Sequence, residues 1–144
     1  MMPSFDINAL RRASYRNFAK EIVASLSRTI PNFIPDAFET NAPVDDTYRI
    51  AVVFPPTDSK YFAVHRVPEA QKTIRKLFLK NPGLKEKIHI DYIMTHSEDY
   101  RTRRESYDAM KKVITLVEKT HNFVIYWTVD YRKLYPQEKA SITI

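Results

Sequence analysis

Apolar positions recur along this chain with the two periods that distinguish helices from strands. A spacing of three and four residues, which gives a helix one buried face, marks the helical segments. These segments predict helices from a cap at Ser4 or Asp6 to about Arg28, from Pro68 to about Lys80, and from a cap at Ser97 to about Thr120. Pro31 ends the first helix and Asn81-Pro82-Gly83 ends the second, because proline cannot continue a helix.

Runs of β-branched and aromatic residues, some of them alternating with polar residues, predict the strands. They are Thr47–Phe54, Lys60–Val67, Lys87–Thr95 and Phe123–Tyr131, with Ser141–Ile144 as an additional short strand. A proline-rich turn joins the first two strands, and we expect this pair to form a hairpin. The strand Lys87–Thr95 alternates cleanly, so it has one apolar face and one face that carries His89 and Asp91.

The order of these elements, α-ββ-α-β-α-β, predicts an α+β fold with a mixed β-sheet of about four to five strands and three helices. The helix between the last two main strands is long enough for a crossover, which favours a parallel pair. With 144 residues the chain fits a single domain, residues 1–144. We expect an irregular, proline-rich arm at residues 31–46 and a short C-terminal tail at residues 132–144.

Cysteine is absent and glycine occurs once, and each of these two facts excludes a class of chemistry. The chain has no cysteine, which excludes disulfides and thiol nucleophiles and favours a reducing compartment, the cytoplasm or a virion assembled there. Its one glycine, Gly83, excludes the phosphate-binding loops and nucleophile elbows that need several glycines. We therefore expect no cofactor. No apolar segment approaches the roughly 18 residues of a membrane span, so we expect no membrane partner.

Charge is distributed unevenly, which suggests an anionic partner or the assembly of unlike surfaces. Residues 31–59 carry five acidic and one basic side chain, whereas residues 60–87 carry eight basic and two acidic ones. The candidate nucleic-acid or anion-binding residues in the second block are Lys60, Arg66, Lys72, Arg75, Lys76 and Lys80. The last four share one face of the predicted second helix, and they contact phosphate or form a solvated helix face.

A catalytic hypothesis rests on His89 and Asp91, which point the same way on a strand, and on His96 at the strand–helix junction. Imidazoles and carboxylates can hold the divalent metal of a nuclease or hydrolase. The spacing matches no recognised set of metal ligands, and a solvated strand face followed by an ordinary helix start explains the same residues. We therefore assign no metal ligand and no catalytic residue.

Apolar side chains in the 31–46 arm indicate that the arm packs on the body of the chain or on a neighbouring subunit. Phe33, Ile34 and Phe38 are the candidate interface residues. The nine tyrosines are more than a small core buries, which favours protein–protein contact.

The leading hypothesis is therefore a non-enzymatic subunit of a protein assembly, with partner subunits of its own or another kind. A viral or phage connector or tail-end ring is one concrete version. A nucleic-acid-binding protein that uses residues 60–87 is the first alternative, and a metal-dependent nuclease or hydrolase is the second.

Overall fold

The computed structural model describes residues 7–30, 34–54, 66–95 and 103–128. Three α-helices, four strands and one short 3₁₀ helix lie within these residues. In chain order they are α1 (Ile7–Thr29), β1 (Ile34–Glu39), β2 (Tyr48–Phe54), α2 (Val67–Lys80), the 3₁₀ helix (Pro82–Leu84), β3 (Ile88–Met94), α3 (Arg103–Val117) and β4 (Phe123–Thr128). The fold is of the α+β class, as the sequence predicts.

The four strands form one mixed sheet in the order β1-β4-β2-β3. Strands β4, β2 and β3 run parallel to one another, and β1 pairs with β4 in the antiparallel direction. The last strand of the described chain therefore lies in the middle of the sheet. Helix α2 returns the chain from the carboxyl end of β2 to the amino end of β3, which is the crossover that a parallel pair requires.

Helices α1 and α2 cover one face of the sheet and build the larger core. Their buried residues recur at helical spacing, as in Phe18, Ile22 and Leu26 of α1. Leu10 lies eight residues before Phe18, so helical spacing predicts the same buried face, but it is exposed. Ile74 and Leu77 bring α2 into this core. The sheet contributes every second residue of its central strands, namely Tyr48, Ile50, Val52, Phe54, Phe123 and Ile125.

Helix α3 covers the opposite face with a smaller core. Met110 is buried against Ala51 and Val53 of β2 and Val124 of β4. Strands β2 and β4 are thus covered on both faces, which explains why both contain nearly continuous apolar sequence. The sequence predicts this second covered surface for β4 from Val124 and Tyr126.

The structure corrects three expectations about strands. Strand β2 pairs in parallel with β3 on one side and with β4 on the other, which leaves no side of it for the expected antiparallel hairpin. The arm at 31–46 is not irregular throughout, because Ile34–Glu39 forms β1 and pairs with β4. The two strands before and after α3 do run parallel, but β2 lies between them, so they are not neighbours. The predicted strand at 60–67 lies outside the described residues except for Arg66 and Val67, and Val67 begins α2. The predicted strand 141–144 and the tail 132–144 lie outside them as well.

Candidate interaction surface

Strand β3 forms one edge of the described sheet, and its backbone groups alternate between β2 and the outside. The N–H of Tyr48 donates to the carbonyl of Lys87 at 2.8 Å, and the N–H of Thr95 donates to the carbonyl of Phe54 at 3.2 Å. Because successive residues of a strand point their backbone groups to opposite sides, odd-numbered residues face β2 and even-numbered ones face away. The residues whose backbone groups face away from β2 are Ile88, Ile90, Tyr92 and Met94.

No described strand pairs with this outward side of β3. An exposed strand edge is a template for pairing with another chain, and proteins usually protect it with proline, lysine or a short strand. The opposite edge, β1, carries such protection in Pro35. Strand β3 has seven residues and contains neither proline nor lysine.

A groove of 490 Å³ lies beside this edge, between β3 and α2. Its volume falls in the range of about 300–1,000 Å³ that is typical of ligand-binding clefts. Its apolar walls are formed by Ile74, Phe78 and Leu79 from α2 and by Ile88, Ile90 and Tyr92 from β3. Leu79 is 76% exposed although it is a large apolar residue, so the groove presents apolar surface to a partner.

The charged residues that line the groove are basic. Arg75 and Lys85 line it together with the polar residue Gln71, and among the described residues no acidic side chain lines it. Arg75 acts on Tyr92, because its positive charge partly offsets the burial that raises the pKa of this phenol to about 12. Lys85 belongs to the turn that leads into the amino end of β3. The two cations therefore sit towards opposite ends of the groove.

A second cluster lies on the other face of the sheet, around Asp91. Its Oδ1 is 2.9 Å from Nε2 of His89, and its Oδ2 is 2.7 Å from Nε2 of His121. Arg49 adds a longer ion pair of 3.6 Å to the same Oδ2. Burial opposes the ionised carboxylate, but the hydrogen bonds and charges of the two histidines outweigh it, so the pKa of Asp91 lies below its ordinary value.

The geometry of this cluster is typical of a structural link. The side chain of His121 is 8% exposed, and its second ring nitrogen, Nδ1, lies 2.9 Å from Oγ1 of Thr120. Both ring nitrogens of His121 thus have hydrogen-bond partners within the chain. The cluster also lies at the amino ends of the parallel strands, whereas ligand sites of open sheets form at the carboxyl ends. In the described part of the chain, no group of three or more acidic or histidine side chains is placed to hold a metal ion.

The comparisons with known proteins do not change this picture. No family model, curated protein or solved structure matches the chain. Among the described residues, no helix has the length and apolar character that crossing a bilayer requires.

The structure brings two of the three catalytic candidates together. His89 and Asp91 form a hydrogen bond, as their shared strand face predicts. The additional partners are His121 and Arg49, and His96 lies outside the described residues. Sequence reasoning missed His121 because this histidine lies about thirty residues from Asp91 and belongs to no recognisable motif. Its position directly before the strongest predicted strand was the available signal.

The six candidate nucleic-acid or anion-binding residues lie in different surroundings. Lys72, Arg75, Lys76 and Lys80 are all exposed on α2, as their spacing predicts. Arg66 forms an ion pair of 3.0 Å with Glu69. Lys60 lies outside the described residues.

Of the interface candidates, Phe33 lies outside the described residues, and Ile34 is the first residue of β1. Phe38 packs with the core under α3, and its ring centroid is 6.5 Å from that of Tyr126. This half-buried position agrees with the alternative in which the arm packs on its own domain.

Proposed function

We propose that this chain is a non-enzymatic subunit of a protein assembly and that it joins its partner through the open edge of β3. One observation carries the proposal. Four residues of β3 point their backbone groups away from β2 and have no strand partner in the described structure, and they lie beside an apolar groove. Addition of a strand to such an edge is a common mode of protein recognition, in which the backbone supplies affinity and adjoining pockets supply specificity.

Exposed apolar residues support the same surface. Leu79 on α2 and Met94 at the end of β3, which is 43% exposed, flank the groove and the edge. Each exposes apolar area that a partner would remove from water, at about 25 cal/mol per Å². The narrower idea of a viral connector or tail-end ring stays a hypothesis from the sequence.

Site-specific photo-crosslinking in the cells that produce the protein tests the proposal. A photoreactive amino acid replaces Leu79 or Met94 in the full chain, and Leu116 on α3 serves as the control position because it is 66% exposed on another surface. We expect protein adducts from Leu79 and Met94 but not from Leu116. We also expect Met94→Pro to remove the Leu79 adduct, because this proline deletes an outward N–H. Adducts from Leu116 alone, or adducts that Met94→Pro leaves unchanged, would contradict the proposal.

A second candidate function, nucleic-acid binding, is favoured by the exposed basic face of α2. Lys72 and Lys76 are one turn apart and both exposed, and phosphate contacts from such residues produce strongly salt-dependent binding. The test is fluorescence anisotropy with a labelled single-stranded oligonucleotide over a salt series. The double variant Lys72→Glu, Lys76→Glu should lose binding, whereas Lys111→Glu, Lys112→Glu, an equal charge change on α3, should retain it. Equal binding by both variants would exclude this function.

A further inference from the structure

The chemistry of the groove identifies the kind of partner that the β3 edge accepts. Besides this chain's own residues outside the described ranges, three kinds of occupant can cover a strand edge beside an apolar groove: a helix, a second copy of this chain, or an extended segment of another protein. The hydrogen-bonding groups, the packing of the groove walls and the charges distinguish among them.

A helix does not match the edge. Its backbone N–H and C=O groups bond to one another, so a helix in the groove would leave the outward groups of Ile90 and Tyr92 without partners. Backbone groups that are covered without a hydrogen bond are strongly disfavoured. An extended segment satisfies them, because its own backbone has the same repeat as β3.

A second copy pairing through its own β3 does not match the groove. Such a copy would offer Ile88, Ile90 and Tyr92, but these side chains already pack beneath the copy's own α2. A twofold axis normal to the sheet would also place both α2 helices on the same face. Arg75 and Lys85 of the two copies would then approach one another, and like charges in proximity repel.

An extended segment of another protein matches all three features. The side chains of a strand alternate, so every second residue would enter the groove while the backbone pairs with β3. Apolar residues at those positions would meet Ile74, Phe78 and Leu79, and acidic residues towards the ends would meet Arg75 and Lys85. The seven residues of β3 set the length of the paired segment.

We propose that the groove between α2 and β3 binds an extended peptide segment of a partner protein, with apolar residues at alternate positions and acidic residues towards its ends, as an added strand on β3. This inference rests on the proposed function and specifies its partner by chemistry.

Selection from a phage-displayed library of random peptides on the full chain tests the inference. We expect the enriched peptides to show apolar residues at every second position and at least one aspartate or glutamate. Affinity of a synthetic enriched peptide, measured by fluorescence anisotropy, should fall about tenfold or more in Leu79→Glu and in the double variant Arg75→Glu, Lys85→Glu. The control Leu116→Glu, an equal change on α3, should leave it unchanged.

Backbone methylation of the same peptide distinguishes strand pairing from nonspecific binding. N-methylation at positions whose N–H faces β3 should abolish binding, and methylation at the alternate positions should preserve it. No enrichment, enriched peptides without acidic residues, or equal tolerance of methylation at both sets would overturn the peptide inference. If crosslinking from Leu79 and Met94 succeeds while peptide selection fails, the assembly role stands and the partner is not an extended peptide. If crosslinking fails as well, the assembly role falls with it.

Discussion

Nε2 of His121 lies 2.7 Å from Oδ2 of Asp91, so a buried imidazole directly before β4 holds a carboxylate of β3 across the intervening strand β2. On β2, Ala51 stands in register with Asp91, and Arg49 of the same strand adds an ion pair to the carboxylate. The link connects parallel strands that share no backbone hydrogen bonds.

This link makes stability depend on acidity. The pKa of Asp91 is lowered in the folded chain from its ordinary value of 3.8, so the ionised carboxylate stabilises the fold above that pH. The contribution is lost as the pH falls through the lowered value. We expect Asp91→Asn to reduce the free energy of unfolding by about 1 kcal/mol near neutral pH, and by less in acid. Urea unfolding followed by circular dichroism over a pH series measures the difference.

The control for this prediction is Asp46→Asn, which changes an exposed carboxylate outside the cluster. A difference between Asp91→Asn and the unaltered chain that persists undiminished in strong acid would contradict the assigned role of Asp91.

The second prediction concerns Asn122, whose buried side chain connects the loop before β2 to the sheet. Its Oδ1 accepts the N–H of Arg49 at 2.9 Å, and its Nδ2 donates to the carbonyls of Ala42 and Pro43 at 3.0 and 3.2 Å. Replacement by alanine leaves these groups without partners, and we expect a loss of about 2–3 kcal/mol in chemical unfolding. Asn41→Ala, at an exposed position, should change little. Equal losses from the two variants would show that the connection contributes nothing.

Tyr48 leads to a prediction of the opposite sign. Its hydroxyl is buried without a hydrogen-bond partner among the described residues, and burial raises its pKa far above the ordinary value. The ring packs against Tyr15 at a centroid distance of 5.7 Å, and phenylalanine preserves that contact. We expect Tyr48→Phe to raise the free energy of unfolding by about 1 kcal/mol, since it removes an unsatisfied polar group. Tyr15→Phe is the matched control, and a destabilised Tyr48→Phe protein would reveal a partner for the hydroxyl.

The alternation of β3 predicts different effects for two adjacent prolines. The N–H of Ile93 faces β2, so Ile93→Pro removes a hydrogen bond inside the sheet and should be destabilising by about 2–3 kcal/mol. The N–H of Met94 faces outward, so Met94→Pro should lower stability much less. Thermal unfolding compares them, with Ile93→Ala measuring the part that loss of the side chain explains. If Met94→Pro were the more destabilising of the two, the N–H groups of the even-numbered residues would not be the ones that face outward, and the assignment of the open edge would be wrong.

The sequence predicted the parts of this fold that local patterns determine. Alternation in Lys87–Thr95 placed His89 and Asp91 on one face, and proline placement located α2. The partner of Asp91 could not be predicted, because only the order of strands decides that His121, thirty residues later, comes beside it. Strand β1 was missed since the sequence Ile34-Pro35-Asp36 has little strand propensity, and pairing with β4 stabilises it instead. The groove was equally invisible, because it depends on how α2 lies against β3.

The sheet order also has a consequence for synthesis of the chain on the ribosome. Strand β4 lies between β1 and β2, so β1 has no described neighbour until residues 123–128 have left the exit tunnel. Before that moment, among the described strands, only β2 and β3 can pair, and the backbone groups of β2 that face β4 remain without their partners. Folding of the whole sheet is therefore a late event that depends on contacts between distant parts of the chain, and such topologies fold slowly. A nascent chain of this kind gains most from a chaperone that holds it until its last strand emerges.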